Sequence, residues 1–263
     1  MSQTQPNFGF KLTENIHSCG NALCLGIDPD LENAPVFMGE WVKSFGASSY
    51  MEHFCRALIQ AGKGHVPAVK FQSAFFEAFG NVGIAIMEKM IGLARSEGYL
   101  TILDAKRGDI SSTMRAYGQM AFETMKADVM TVTPYMGTDT LVPLIPWLRK
   151  GHGVYLVWVT SNPSGQLIQD CVLESSLHKV STHIFHSFDR FFETEALEDS
   201  YGWVVGATRI SAIDSQIRSI LPQERLLIPG IGAQGGEVTP DLMAILTSGN
   251  SLVSQSRGIS RGP

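Results

Sequence analysis

The chain has 263 residues, 44% hydrophobic and 17% charged, with a formal net charge of −5 at pH 7. That balance supplies a large core and excludes a disordered chain; a negative charge with no Lys/Arg run removes the electrostatic basis for nucleic acid or an anionic membrane as partner. No uninterrupted apolar run reaches about 18 residues and the opening MSQTQPNFGFKL carries no apolar signal segment, so the sequence predicts a soluble, cytoplasmic protein without a membrane span.

In chain order, eight short β-rich apolar runs alternate with longer stretches of helical pattern. ALCLGID (22–28) is followed by PAVKF (67–71), LTILDAK (100–106) and DVMTVTP (128–134). VYLVWVTS (154–161), GWVVGAT (202–208), RLLIPGI (225–231) and SLVSQSRG (251–258) complete the set. The runs are almost continuously apolar, as in parallel strands covered on both faces. Residues 48–62 and 83–98 read as helices; in the second, Ile84, Met87, Met90, Ile91 and Ala94 share one face and Gly98 marks the stop. Eight alternations in this length predict a (β/α)8 TIM barrel, a single domain over residues 1–263, with an open doubly wound sheet as the alternative. After SRGIS the sequence ends in RGP, so the expected barrel lacks the helix that normally closes it after the eighth strand. Cys19, Cys24, Cys55 and Cys171 form no CxxC pair and no zinc spacing; they are expected to be reduced thiols, Cys24 in the core.

In such a barrel the chemistry sits at the C-terminal ends of the strands. The polar residues there are Asp28, Lys70, Asp104, Lys106, Thr133, Ser161, Arg209, Gln234 and Arg257. Asp104 and Lys106, two apart in a strand, point to the same side, and Lys70 reaches the same place from the neighbouring strand. Asp109 follows in the loop. An alternating array of lysines and carboxylates keeps the lysines protonated and sets a negative charge beside any substrate carboxylate, which suits loss of CO2 and protonation of the carbanion. The same residues also fit an ordinary ion-pair network at a barrel rim. Beyond the seventh strand, Gly230, Gly232, Gly235 and Gly236 let backbone approach an anion, with Gln234 and Arg257 as further donors. Loops after strands 7 and 8 often hold phosphate in these barrels. The seven histidines are scattered; His183 and His186, three apart, suit a helix surface, and no metal is expected. Arg107 reads as an ion-pair partner, and Tyr135 as a residue that lines the pocket or packs.

The string LDAKRGDI resembles the signature of the orotidine 5'-monophosphate decarboxylase family. LCLGIDPD, VKFQSAFFEAFG, TVTPYMG, VTSNPSG, VVGAT, PGIGAQGG and SRGI extend the likeness over nearly the whole chain, in the manner of its longer, largely bacterial branch. The resemblance implies a (β/α)8 homodimer that converts orotidine 5'-monophosphate to uridine 5'-monophosphate (UMP) and CO2 in pyrimidine synthesis, with no metal or organic cofactor. It implies a catalytic tetrad of Lys70, Asp104, Lys106 and Asp109. Lys106 would protonate C6, Asp104 would press on the departing carboxylate, and Asp109 would act in the neighbouring subunit's site. Asp28 and Lys70 would hold ribose hydroxyls, Thr113 would contact the ribose across the interface, Ser161 would bind the ring, and Gln234 and Arg257 would hold the phosphate. Three other readings share parts of the pattern: a Mg2+-dependent enzyme acting on sugar phosphates through an enediolate, a non-catalytic phosphate-ligand binder, and a Schiff-base aldolase.

Overall fold

Eight parallel strands close on themselves in sequence order in the computed structural model, which describes residues 6–35, 38–231 and 236–260. They are β1 (Leu23–Ile27), β2 (Ala68–Gln72), β3 (Leu100–Arg107) and β4 (Val129–Val132), then β5 (Gly153–Val159), β6 (Tyr201–Val205), β7 (Leu226–Pro229) and β8 (Leu252–Gln255). Every predicted strand is present. Pairing of β1 with β8, through Leu23–Val253, Cys24–Ser254 and Leu25–Gln255, rules out the open sheet. Several predicted runs overshoot at their C-terminal ends, with Asp28, Ser161 and Arg257 lying beyond the strands, whereas β2 and β3 each extend one residue further, to Gln72 and Arg107.

Strand side chains divide by their period of two. Cys24, Ala68, Leu100, Ile102, Val129, Tyr155, Val204, Leu227 and Leu252 point into the barrel and form one cluster. Their outward neighbours, such as Leu25, Val69, Leu103, Met130, Leu156 and Trp203, pack under the surrounding helices. Both faces are thus buried, which accounts for the nearly unbroken apolar runs.

The barrel floor is closed by a helix that strand–helix alternation does not predict. Helix Phe8–Cys19 is capped at its start by Asn7, whose side chain accepts from Phe10 N at 2.8 Å, and at its end by Gly20 in the left-handed conformation. Phe8, Leu12 and Ile16 recur every four residues and insert into the inner cluster. The Phe8 ring meets Tyr155 edge-on, with centroids 5.3 Å apart. A Cβ at Gly153 would lie 2.5 Å from that ring, so the start of β5 must be glycine for the plug to seat.

In helix Gly80–Ser96, Met87, Met90, Ile91 and Ala94 are buried as the periodicity requires. Ile84 is not part of the buried face: it is 37% exposed. The close contact of that turn is made instead by Gly83, where a Cβ would sit 2.0 Å from the Phe76 carbonyl oxygen. Residues 48–62 belong to a longer helical stretch, Gly39–Gly62, broken at Gly46. After β8 the described chain makes one helical turn, Arg257–Ser260. All four cysteines are free, with Cys24 and Cys55 buried. Among the described residues no helix is long and apolar enough to cross a membrane.

Phe8 is 1% exposed. Phe8→Ala is expected to lower stability by about 3–5 kcal/mol, the usual cost of emptying a buried aromatic site, read as a lower urea midpoint.

Candidate active site

β3 carries the transition from core to chemistry. Its inner face runs Leu100, Ile102, Asp104, Lys106, so an apolar floor gives way to charge within one strand. The strand does not stay regular to its end. Its pairing with β4 jumps from Leu103–Met130 to Arg107–Val132, which puts two extra residues on β3. Lys106 takes up the irregularity with φ of 45°, left-handed backbone that a lysine rarely adopts. Its N–H leaves the ladder and donates to Thr131 Oγ1 at 2.9 Å.

Asp104 is the centre of the arrangement and is 6% exposed. Its Oδ2 accepts from Lys70 Nζ at 2.9 Å and from Gln72 Nε2 at 3.1 Å. Its Oδ1 accepts from Lys106 Nζ at 2.7 Å and from Thr131 Oγ1 at 2.9 Å. Burial by itself would push the Asp104 carboxyl up. The ammonium groups of Lys70 and Lys106 reverse that and hold it well below the usual carboxylate range. Burial likewise pulls Lys70 down, but the carboxylates of Asp104 and Asp28 outweigh it and leave Lys70 raised. Both groups are therefore ionised at neutral pH. Lys106 differs from Lys70 in exposure: half of its side chain faces the opening.

These residues line a cavity of about 440 Å3 at the C-terminal mouth of the barrel. Asp28, Ser161 and Arg257 line it too. Asp28 Oδ1 is buried and has no hydrogen-bond partner among the described residues. Gly230, with φ of 99°, turns the chain beyond β7, and Gly236 N returns to its carbonyl at 3.0 Å. Arg257 is exposed and forms no ion pair among the described residues. Such a free guanidinium at a pocket rim suits an anionic group.

Of the residues expected at the site, Lys70, Asp104, Lys106, Asp28, Ser161 and Arg257 surround this one cavity. Gln234 lies outside the described residues. Asp109 and Thr113 do not line the cavity: Asp109 sits in the turn after β3 and accepts from Ile110 N at 2.7 Å, and Thr113 is exposed on helix Ser111–Gly118. Arg209 is buried against Asp170, and Thr133 packs over Gly108. Tyr135 neither lines the pocket nor packs, being 78% exposed. Arg107 pairs with Glu77 and lies 5.3 Å from the Tyr117 ring centre. His183 and His186 are exposed on helix Val180–Thr194, and among the described residues no group of three or more His, Cys, Asp or Glu is arranged to hold a metal. Gln72 and Thr131, which complete the set of donors around Asp104, escaped the sequence reading, as did Thr160, Asn162 and Gln255 of the cavity wall. The first two were in phase with the inward positions: Gln72 lies two after Lys70 and Thr131 two after Val129.

Residues 21–261 match the sequence model of the orotidine 5'-phosphate decarboxylase / HUMPS family. The chain is 36% identical over 266 residues to the orotidine 5'-phosphate decarboxylase of Streptomyces coelicolor, covering 97% of this chain and 91% of that protein. It is 38% identical over 222 residues to the enzyme of the same name from a Roseiflexus species, covering 84% and 76%. The solved structure of Leishmania donovani OMP decarboxylase superposes with a TM-score of 0.77 at 28% identity, covering 97% of this chain and 92% of that one.

The Asp104 array gives a stability prediction with a defined pH window. Asp104→Asn removes the charge that compensates the buried Lys70 ammonium and is expected to cost about 3–5 kcal/mol near pH 7. The Asp104 carboxyl is lowered from 3.8, so its contribution is complete above that value and lost as pH falls through the lowered one. Lys70 is raised from 10.5, so its contribution is complete below that value and lost as pH rises through the raised one. The gap between wild type and Asp104→Asn in denaturant melts should be present at neutral pH and shrink below about pH 4.

Proposed function

The chain belongs to the orotidine 5'-phosphate decarboxylase / HUMPS family and is a decarboxylase, and from that premise we propose that it converts orotidine 5'-monophosphate to UMP and CO2 in de novo pyrimidine synthesis, without a cofactor. The observation that carries the reading is the Asp104 carboxylate clamped between Lys70 and Lys106 at the mouth of the cavity.

The reaction breaks the bond from C6 to the carboxylate, leaves the electron pair on C6 and puts a proton there. A carboxylate held as firmly ionised as Asp104 is no proton source at neutral pH. Lys106 is the donor: its ammonium faces the cavity, and its proton passes to C6 as CO2 departs. A preorganised cation at the atom where negative charge develops is the largest contribution such a site can make. Asp104 presses its charge against the departing carboxylate and anchors Lys106. Asp28 and Lys70 bind the ribose hydroxyls; the unpartnered buried Oδ1 of Asp28 is an acceptor waiting for such a donor. Ser161 meets the ring, and Arg257 with Gln234 takes the phosphate. Phosphate binding far from C6 stabilises the reacting geometry because remote binding energy holds the substrate in place.

Asp109 and Thr113 serve the partner subunit's cavity in a homodimer. Exposed apolar side chains stand beside this turn, Ile110 next to Asp109 at 57% and Met136 near Gly108 at 41%, of the kind an interface covers. A magnesium-dependent reading is weaker because Asp104 already accepts four hydrogen bonds, the capacity of a carboxylate, and has no lone pair left for a divalent cation.

The first test is turnover: the purified chain with orotidine 5'-monophosphate should yield UMP at the same rate with and without EDTA. Loss of product with EDTA would favour the metal-dependent chemistry, and no product in either tube would reject the decarboxylase reading. Lys106→Ala should reduce kcat by about 10²–10⁴-fold or more while UMP still binds, measured by calorimetry. Mixing inactive Lys106→Ala and Asp109→Ala chains should restore activity, since each heterodimer then holds one intact site. Verified heterodimers without activity would place Asp109 in its own subunit's chemistry.

A further inference from the structure

The cavity wall that follows β5 is not held by burial. Thr160, Ser161 and Asn162 line the cavity, yet no residue from 161 to 180 is buried. The excursion that begins there turns Leu167, Ile168, Val172 and Leu177 outward, each more than half exposed. What fixes the wall is polar. Gln169 ends the short helix Gln166–Gln169 and accepts from Thr160 N at 3.1 Å, while its Nε2 donates to Thr160 Oγ1 at 2.8 Å. Its side-chain amide thus replaces a neighbouring strand's peptide one residue past the end of β5.

The next residue, Asp170, is tied to the segment after β6. It accepts from Arg209 Nη2 at 2.7 Å and from Lys179 Nζ at 3.3 Å, and Lys179 also donates to the Ala212 carbonyl at 3.1 Å. Arg209 is 5% exposed, and its Nε and Nη1 are buried without partners among the described residues. Burying a guanidinium with donors unmet is costly, and the ion pair to Asp170 offsets part of that cost while joining the β5 excursion to the segment after β6. The β6 exit also backs the β5 exit directly: a Cβ at Gly206 would lie 2.8 Å from Ser161 N.

We infer that Gln169, Asp170 and Arg209 form a clamp that positions the β5 wall of the cavity, and with it Ser161, against the substrate ring. None of the three lines the cavity, so they are positioning residues, and the inference rests on the proposed reading of the cavity as the orotidine 5'-monophosphate site.

The test compares wild type with Gln169→Ala, Gln169→Glu and Arg209→Met by amide hydrogen exchange at Thr160–Asn162, thermal unfolding, and kcat and KM on orotidine 5'-monophosphate. Gln169→Ala should speed exchange at Thr160 about tenfold or more and lower kcat/KM roughly 10–100-fold, with the unfolding midpoint nearly unchanged. Gln169→Glu keeps acceptors for the Thr160 amide and hydroxyl and should recover most of both. Arg209→Met should move the same readouts, and the two Gln169 variants decide the matter if it fails to fold. Unchanged exchange in Gln169→Ala would overturn the clamp whatever happens to turnover. Faster exchange with wild-type kcat/KM would overturn its role in positioning. A wild-type protein that forms no UMP would reject the proposed reaction instead, and exchange would still decide the clamp.

Discussion

Four donors on one buried carboxylate hold the mouth of this barrel together. Asp104 draws on β2 through Lys70 and Gln72, on its own strand through Lys106, and on β4 through Thr131. Three neighbouring strands are thereby cross-braced at the end of the sheet, where the β3–β4 ladder is interrupted and cannot do it. Each donor is also constrained in return. Thr131 Oγ1 both donates to Asp104 and accepts from Lys106 N, so the carboxylate and the irregular backbone depend on the same hydroxyl. A network so fully satisfied is rigid, and one left half-satisfied would be worse than an apolar core.

The barrel separates its two tasks along its axis. The N-terminal end is sealed by Phe8, Leu12 and Ile16, which join the inner apolar cluster. The C-terminal end holds the charges. Below the array lies Cys24, whose thiol burial pushes up to about 12, leaving it an inert neighbour and not a nucleophile. The buried apolar floor strengthens the interactions above it, because charges attract more strongly in a low-dielectric surrounding.

Much of this was legible in the sequence, and what was not has specific causes. Apolar runs located all eight strands, because a strand covered on both faces leaves little choice of side chain. Their C-terminal limits were blurred, since hydrophobicity does not register where a ladder ends. The period of two put Asp104 and Lys106 on one face, but nothing in it shows that Lys106 keeps that face only through left-handed backbone. Gln72 and Thr131 went unnoticed because neutral polar residues in an apolar run look like ordinary strand content. Helix Phe8–Cys19 has a helical pattern, but its seat at the barrel floor depends on a glycine 134 positions beyond Cys19. Asp109 stands out in the charge cluster after the third strand, but its role across an interface, like that of Thr113, comes only from resemblance to a family, and neither lines the cavity. Arg209 stood among the strand-end polar residues without a role; only its burial against Asp170 shows that it belongs to the wall and not to the pocket.

The left-handed backbone at Lys106 sets stability against activity. A non-glycine residue at that φ typically costs about 1–3 kcal/mol, which glycine would not incur. Glycine at 106 would remove that cost but would also take away the ammonium from which Asp104 accepts, so the ion pair offsets part of the strain it requires. The lysine that stands there marks a trade-off, in which part of the folding free energy is surrendered to hold one ammonium in the cavity.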